Sequence, residues 1–281
     1  MSKIIFMGNG PLAEYTLEKL KESHEIIFHA HEKSDLETVK ELKKQHPDAH
    51  GILASFGVII KKDVLDLFEP EGILNVHPSL LPKYRGPSPI ESAMKNGETE
   101  YGVSIMKLVK EMDAGPVYWQ ITFGNDEKPI PTSTEDKPTK DDLYRGAAML
   151  AGFWLNNNLD HLDLIEAVSQ ETAPVKPTYT EKLDKSMSPL DTEHKNALEL
   201  LCEIRAFKGF PKSTTEIFGK KCIIHAAHIP ESKSELNALA DRPDNYLVLH
   251  CKNGTLLVID RLQPENKKEM DAKSFLNGYK H

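Results

Sequence analysis

Four short apolar runs, KIIFMG (3–8), HEIIFHA (24–30), GILAS (51–55) and GILNVH (72–77), alternate with amphipathic stretches over the first 77 residues. PLAEYTLEKLKES carries Leu12, Leu17 and Leu20 at near-helical spacing. DLETVKELKKQHP puts Leu36, Val39 and Leu42 on one face before Pro47 stops it, and KKDVLDLFE is a third helix. Continuous apolar strands alternating with amphipathic helices pack as a parallel sheet covered on both faces. Further strands at GVSIMKLV (102–109) and PVYWQITF (116–123) complete a parallel, doubly wound, Rossmann-like α/β sheet. A long helix is expected from Thr139, because Thr139 and Asp142 form a capping-box pattern ahead of LYRGAAMLAGFWL.

The stretch ETAPVKPTYTEKLDKSMSPL (171–190) holds three prolines and follows neither period. It divides the chain into a first domain at 1–172, a linker at 173–187 and a second domain at 188–281. The second domain opens with one helix, TEHKNALELLCEIRAF. The β runs STTEIF, KKCIIHAAHI, YLVLHC and TLLVIDRLQ follow. Lys252-Asn253-Gly254-Thr255, between the last two, signals a type I′ hairpin. A small OB-like β-barrel is expected there.

A hydrophobic content of 39% over 281 residues supports a real core. No apolar run approaches the roughly 20 residues that span a bilayer. The start, MSKIIFMGNG, is broken by glycine too soon for a signal peptide and reads as a buried strand. Cys202, Cys222 and Cys251 form no CxxC pair and leave one thiol over in any disulfide scheme, which suits a reduced, cytoplasmic setting. The net charge of −8 excludes a blanket of positive charge for nucleic acid. The balance is uneven, however. Residues 1–170 carry 18 Lys and Arg against 27 Asp and Glu, whereas residues 188–281 carry 14 against 13. The second domain is the one more open to a polyanion. The 12 histidines are scattered without ligand spacing, so no metal site is expected.

GNGPLA (8–13) fits the dinucleotide pattern G-x-G-x-x-A loosely, with Glu32 22 residues beyond Gly10. It fits a tight strand-to-helix turn equally well, so an NAD-linked oxidoreductase is an alternative of another class. NVHPSLLPKYRG (75–86) is more informative. Asn75 and His77 share one strand face at the carboxyl end of a strand, where open α/β sheets bind ligands. An Asn amide donates to an oxyanion, and a His accepts a proton from a nucleophile. The pair suits acyl transfer to an amine. The same two side chains could instead satisfy backbone groups at the strand end, and spacing alone does not decide.

NVHPSLLPKYRGPSPI resembles the signature of the folate-dependent formyltransferases, and EMDAGPVY places Asp113 36 residues after His77 in a D-x-G turn. The resemblance continues through TYTEKL, IRAFKGFP and LLVIDRLQPENKKEM, stretches similar to the members that act on charged tRNA. It implies a Rossmann-like catalytic domain joined by a linker to an OB-like, tRNA-binding barrel. It also implies formyl transfer from 10-formyltetrahydrofolate, a consumed cosubstrate, to the α-amino group of methionine on initiator tRNA. Asn75, His77 and Asp113 are the catalytic residues it implies. Ser79, Leu80, Leu81 and Pro82, with Gly57, Val58, Ile59 and Ile60, would hold the folate. Lys83 and Arg85 would form a rim toward the acceptor, and Lys208, Lys212, Lys220 and Lys221 are basic candidates on the barrel. A monomer translating its activity into protein-synthesis initiation is expected, with no membrane partner. One departure stands out. The long basic loop such enzymes carry after the second strand is only HEKSD (31–35) here. A small amine, such as an amino sugar nucleotide or glycinamide ribonucleotide, is the alternative acceptor.

Overall fold

The computed structural model describes residues 1–124 and 138–279, which form two compact units. One comprises Met1–Ile90 and Thr99–Lys182; the other comprises Glu91–Glu98 and the chain from Leu183 onward. The elements run β1 (Lys3–Gly8), α1 (Gly10–Leu20), β2 (Glu25–Ala30), α2 (Leu36–Gln45), β3 (His50–Ala54), α3 (Lys62–Leu65), β4 (Ile73–His77), α4 (Pro89–Lys95), β5 (Tyr101–Lys107), β6 (Val117–Phe123) and α5 (Lys140–Asn158). Among the described residues no helix is long and apolar enough to cross a membrane.

The first unit is built on a six-stranded sheet of order β2-β1-β3-β4-β5-β6. β1 pairs in parallel with β2 and β3, and β3 with β4, as the alternation of apolar runs requires. The sheet is not wholly parallel, however. β5 runs antiparallel to β4, and β6 antiparallel to β5. The connection from Lys107 to Val117 is shorter than the dozen or so residues a parallel crossover needs, so β6 returns as a hairpin partner. Ile5, Met7, Val39, Leu53, Phe56, Phe68 and Ile73 bury one face of the sheet. Each contributes on the order of 1.5–3 kcal/mol through its removal from water. α5 starts where expected: Thr139 accepts from the Asp142 amide, and Asp142 accepts in return from the Thr139 amide at 2.9 Å.

Part of the 173–187 stretch is docked on the first unit. Thr178–Thr180 lies extended along residues 82–88 of the first unit. Arg85 N donates to Thr178 O at 2.9 Å, and Thr180 N donates to Arg85 O at 2.7 Å.

The second unit carries α6 (Ala197–Ala206), β7 (Ser213–Ile217), β8 (Lys220–His228), α7 (Lys233–Asp241), β9 (Leu247–His250), β10 (Leu256–Pro264), β11 (Met270–Asp271) and α8 (Ala272–Tyr279). Its five strands pair antiparallel, with β10 joining β8, β9 and β11. Leu200, Ile204, Ile224, Leu257, Leu262 and Phe275 form its core, and all three cysteines are buried and free. Asn253 (φ 60°) and Gly254 (φ 70°) make the turn between β9 and β10, as their sequence signals. α7 and α8 were not anticipated. Ser232 caps the first by accepting from Glu235 N, and Asp271 caps the second by accepting from Ser274 N.

His228 ties α7 to the sheet. Its Nδ1 lies 2.8 Å from Asp260 on β10, and its Nε2 lies 2.7 Å from Glu235 on α7. Burial disfavours the imidazolium, but the hydrogen bonds to Asp260 and Glu235 outweigh it and raise the pKa. A raised pKa contributes stability in full below the unfolded-state value, about 6.5, and that contribution is lost as pH rises through the folded-state value. Urea melts should therefore show the second unit weakening as pH rises above about 6.5, and His228→Gln should flatten that decline. An equal decline in the variant would place the effect on other groups.

Candidate active site

β4 alternates buried apolar side chains, Ile73, Leu74 and Val76, with Asn75 and His77. Period two puts that pair on one face at the strand's carboxyl end, in the middle of the sheet. Both are buried, at 6% and 4% exposure. Asp113 reaches them from the loop after β5. Its φ of 48° is a left-handed conformation that Asp tolerates better than most residues. Gly115 permits the loop's close return, because a Cβ there would sit 1.9 Å from the Lys107 carbonyl oxygen.

A third piece of chain completes the cluster. Residues 84–86 turn sharply, with φ of 58° at Tyr84 and 114° at Gly86. A Cβ at Gly86 would meet Thr180 Oγ1 at 2.6 Å, so only glycine lets the docked 178–180 segment approach. Gly86 N donates to Asp113 Oδ2 at 2.7 Å, and Asn75 Nδ2 donates to Asp113 Oδ1 at 3.3 Å. His77 Nε2 lies 2.9 Å from the Tyr84 carbonyl oxygen. A carbonyl only accepts, so Nε2 carries the proton and neutral His77 keeps its lone pair on Nδ1. That Nδ1 lies 3.7 Å from Asp113 Oδ2.

The three side chains line one cavity of about 480 Å³. Phe56, Val58, Ile60, Leu108 and Val109 supply apolar walls, and Ile59 and Met112 stand at 87% and 64% exposure along its lining. Gly57–Ile60 thus lie on the cavity. Ser79–Pro82 do not line it. Ser79 Oγ donates to Lys83 O, Leu80 packs on Gly102, and the Leu81 amide donates to Ser104 Oγ. Leu80, Leu81 and Pro82 stiffen the chain beneath the site, while Pro78 before them lines the cavity. Lys83 is exposed, but Arg85 is not a rim residue: it is 8% exposed, with Nε and Nη2 donating to Gln170 Oε1 at 3.1 and 2.7 Å. Gln170, Tyr144, Lys110 and Met112 escaped sequence reading. Of these, only Met112, as the neighbour of Asp113 in EMDAG, sat within a recognised motif. Among the described residues no group of three or more His, Cys, Asp or Glu side chains is placed to hold a metal ion.

Asn75, His77 and Asp113 thus gather at a strand end facing a largely apolar cavity, with the donors and acceptors that acyl transfer to an amine requires. Comparison with known proteins agrees. Residues 8–135 match the family model described as formyl transferase, and residues 182–280 match the formyl transferase C-terminal domain. The methionyl-tRNA formyltransferase of Methylobacillus flagellatus is 35% identical over 83% of this chain and 72% of its own length. That of Dictyoglomus thermophilum is 34% identical over 98% of this chain and 82% of its own. The structure of HypX from Aquifex aeolicus in complex with tetrahydrofolic acid superposes with a TM-score of 0.67 at 16% identity, over 99% of this chain and 47% of HypX. The chain belongs to the methionyl-tRNA formyltransferase family.

Gly115→Ala should push the Asp113 loop off the end of β5 and destabilise the first unit by about 1–3 kcal/mol, the usual range for overpacking. Ala114→Gly is the control, and urea melts of the two compare them. Equal stability of Gly115→Ala and the native chain would contradict the close approach.

Proposed function

We propose that this chain transfers a formyl group from 10-formyltetrahydrofolate to the α-amino group of methionine esterified to initiator tRNA, in the cytoplasm and as a monomer. The observation that carries the reading is the convergence of Asn75, His77 and Asp113 on one apolar cavity. The relatives named above, called methionyl-tRNA formyltransferases, support this acceptor. HypX, solved with tetrahydrofolic acid, supports a reduced folate as donor.

The cavity suits a flat heterocycle. Val58, Ile60, Leu108 and Val109 offer apolar faces to it. In this reading the neutral amine attacks the formyl carbon, and negative charge develops on the formyl oxygen. The Asn75 amide donates to that oxygen. His77 Nδ1, left unprotonated because the Tyr84 carbonyl holds the proton on the opposite nitrogen, takes a proton from the attacking amine. The resulting imidazolium faces the Asp113 carboxylate, which stabilises it. The carbon–nitrogen bond to the folate breaks, and the proton passes to the departing folate nitrogen.

The second unit is read as an OB-like module for the tRNA. Lys208, Lys212, Lys220 and Lys221 are exposed there and available to phosphates. In place of a long basic loop after β2, residues 31–35 form a compact capped turn, with Asp35 accepting from the His31 and Glu32 amides. Acceptor recognition therefore rests on the second unit in this reading, and domain boundaries at 172 and 188 remain part of it.

His77→Ala should lose roughly 10²–10⁴ in kcat as a missing general base. Asn75→Ala should lose on the order of 10²–10³ as a missing oxyanion donor. Both should keep a thermal shift with a reduced folate, and NAD should give none. An unchanged kcat in either variant, or a shift with NAD alone, would sink the reading.

A further inference from the structure

Arg85 is a buried cation, and among the described residues no carboxylate pairs with it. Its guanidinium instead places two N–H groups on the single oxygen of Gln170, with a longer 3.5 Å contact from Nη1 to the Tyr179 hydroxyl. A buried charge held only by neutral acceptors is costly unless those acceptors are fixed. Gln170 is itself 6% exposed, and its amide nitrogen is fully used. It donates to the Asp113 carbonyl at 2.9 Å and to the Gly115 carbonyl at 2.7 Å. The carboxamide therefore spans the turn that presents the Asp113 carboxylate.

The other end of this arrangement leads to His77. Arg85 sits between Tyr84, whose carbonyl accepts from His77 Nε2, and Gly86, whose amide donates to Asp113 Oδ2. Its own backbone is clamped on both sides by Thr178 and Thr180. Hydrogen bonds and backbone together close a loop through Arg85, Gln170, the Asp113 turn and Gly86, and Tyr84 extends it to His77.

We infer that Arg85 and Gln170 are positioning residues that hold the Asp113 carboxylate against His77 Nδ1. Neither lines the cavity, so neither touches a substrate bound there. Gln170 sets the backbone of the 113–115 turn, and Arg85 fixes Gln170 while carrying the two backbone groups that orient His77 and Asp113. The kinetic part of the inference rests on the formyl-transfer reading; the geometric part does not.

A double-mutant cycle between Gln170→Met and Asp113→Asn in the full chain tests it. Two measurements are made on each variant: kcat and KM for formyl transfer, and the titration midpoint of the His77 imidazole by NMR of the free protein, assigned with His77→Asn. Gln170→Met should lower kcat by ten- to a hundredfold, the scale of loss when a reacting group is displaced by about 1 Å. The KM for the folate should stay within about threefold. The His77 midpoint should fall in Gln170→Met and in Asp113→Asn, because each removes the carboxylate's support for the imidazolium. Adding Gln170→Met to Asp113→Asn should change neither quantity further. Losses that multiply in the double variant, or a His77 midpoint unmoved by Gln170→Met, would overturn the inference. Should Gln170→Met fail to fold, Arg85→Lys keeps the charge but not the planar fork, and the same falls in kcat and midpoint are expected of it. If the native chain itself transfers no formyl group, the function reading fails, while the His77 titration still decides the positioning role.

Discussion

The 2.7 Å hydrogen bond from the Gly86 amide to the Asp113 carboxylate joins the two loops on which the site depends. One follows β4 and carries Tyr84 and Arg85; the other follows β5 and carries Asp113. Neither loop belongs to regular structure, and each includes a residue at positive φ, Tyr84 and Asp113. Their conformations hold because the contacts around them are over-determined: the Gly115 approach to Lys107, the docked 178–180 segment, and Gln170 between them. Strain of this kind persists only where surrounding structure fixes it, and it concentrates at functional sites. The mixed sheet sets the path that the second loop must take. Because β5 returns antiparallel beside β4, the start of the Asp113 loop does not begin at the carboxyl end of β4. The loop has to travel back along the strand to reach Asn75 and His77, and its glycine gives it the room to do so.

The electrostatics follow from the same geometry. The Tyr84 carbonyl assigns the proton of neutral His77 to Nε2, which leaves the basic nitrogen facing a carboxylate. In water such a carboxylate would be satisfied by solvent. Here it already accepts from Gly86 and Asn75, so it is held in place before any proton arrives. Preorganised groups of this kind act on developing charge without reorganising during reaction. The apolar walls of the cavity lower the local dielectric and strengthen every one of these interactions.

Much of this was legible from local patterns. The apolar runs located every strand of the first unit, and the Thr139 capping box and the Asn253-Gly254 turn fell where their chemistry placed them. Strand direction was not legible from burial, because YGVSIMK is buried on both faces and so looks like a parallel strand. The length of the 108–116 connection carried that information instead. The rim role of Arg85 follows only from the family resemblance and from no pattern in the residues around it. The burial of that side chain depends on Gln170, 85 residues away, and no local period reports such a contact. Ser79–Pro82 reads as a ligand edge because an apolar, proline-stiffened stretch describes a cavity wall and a cavity foundation equally well. The helix α7 was missed although Ser232 and Glu235 carry the capping-box spacing, because a short helix burying only Leu239 shows little hydrophobic periodicity.

The most direct measurement of the central claim follows the formyl carbon itself. Isotopically labelled 10-formyltetrahydrofolate is mixed with the native chain, charged initiator tRNA and an amino sugar nucleotide in one reaction, and the labelled products are separated. Label on the α-amino group of the tRNA-bound methionine, in preference to the amino sugar, is the expected result. Label found only on the amino sugar, or released only as formate, would contradict it.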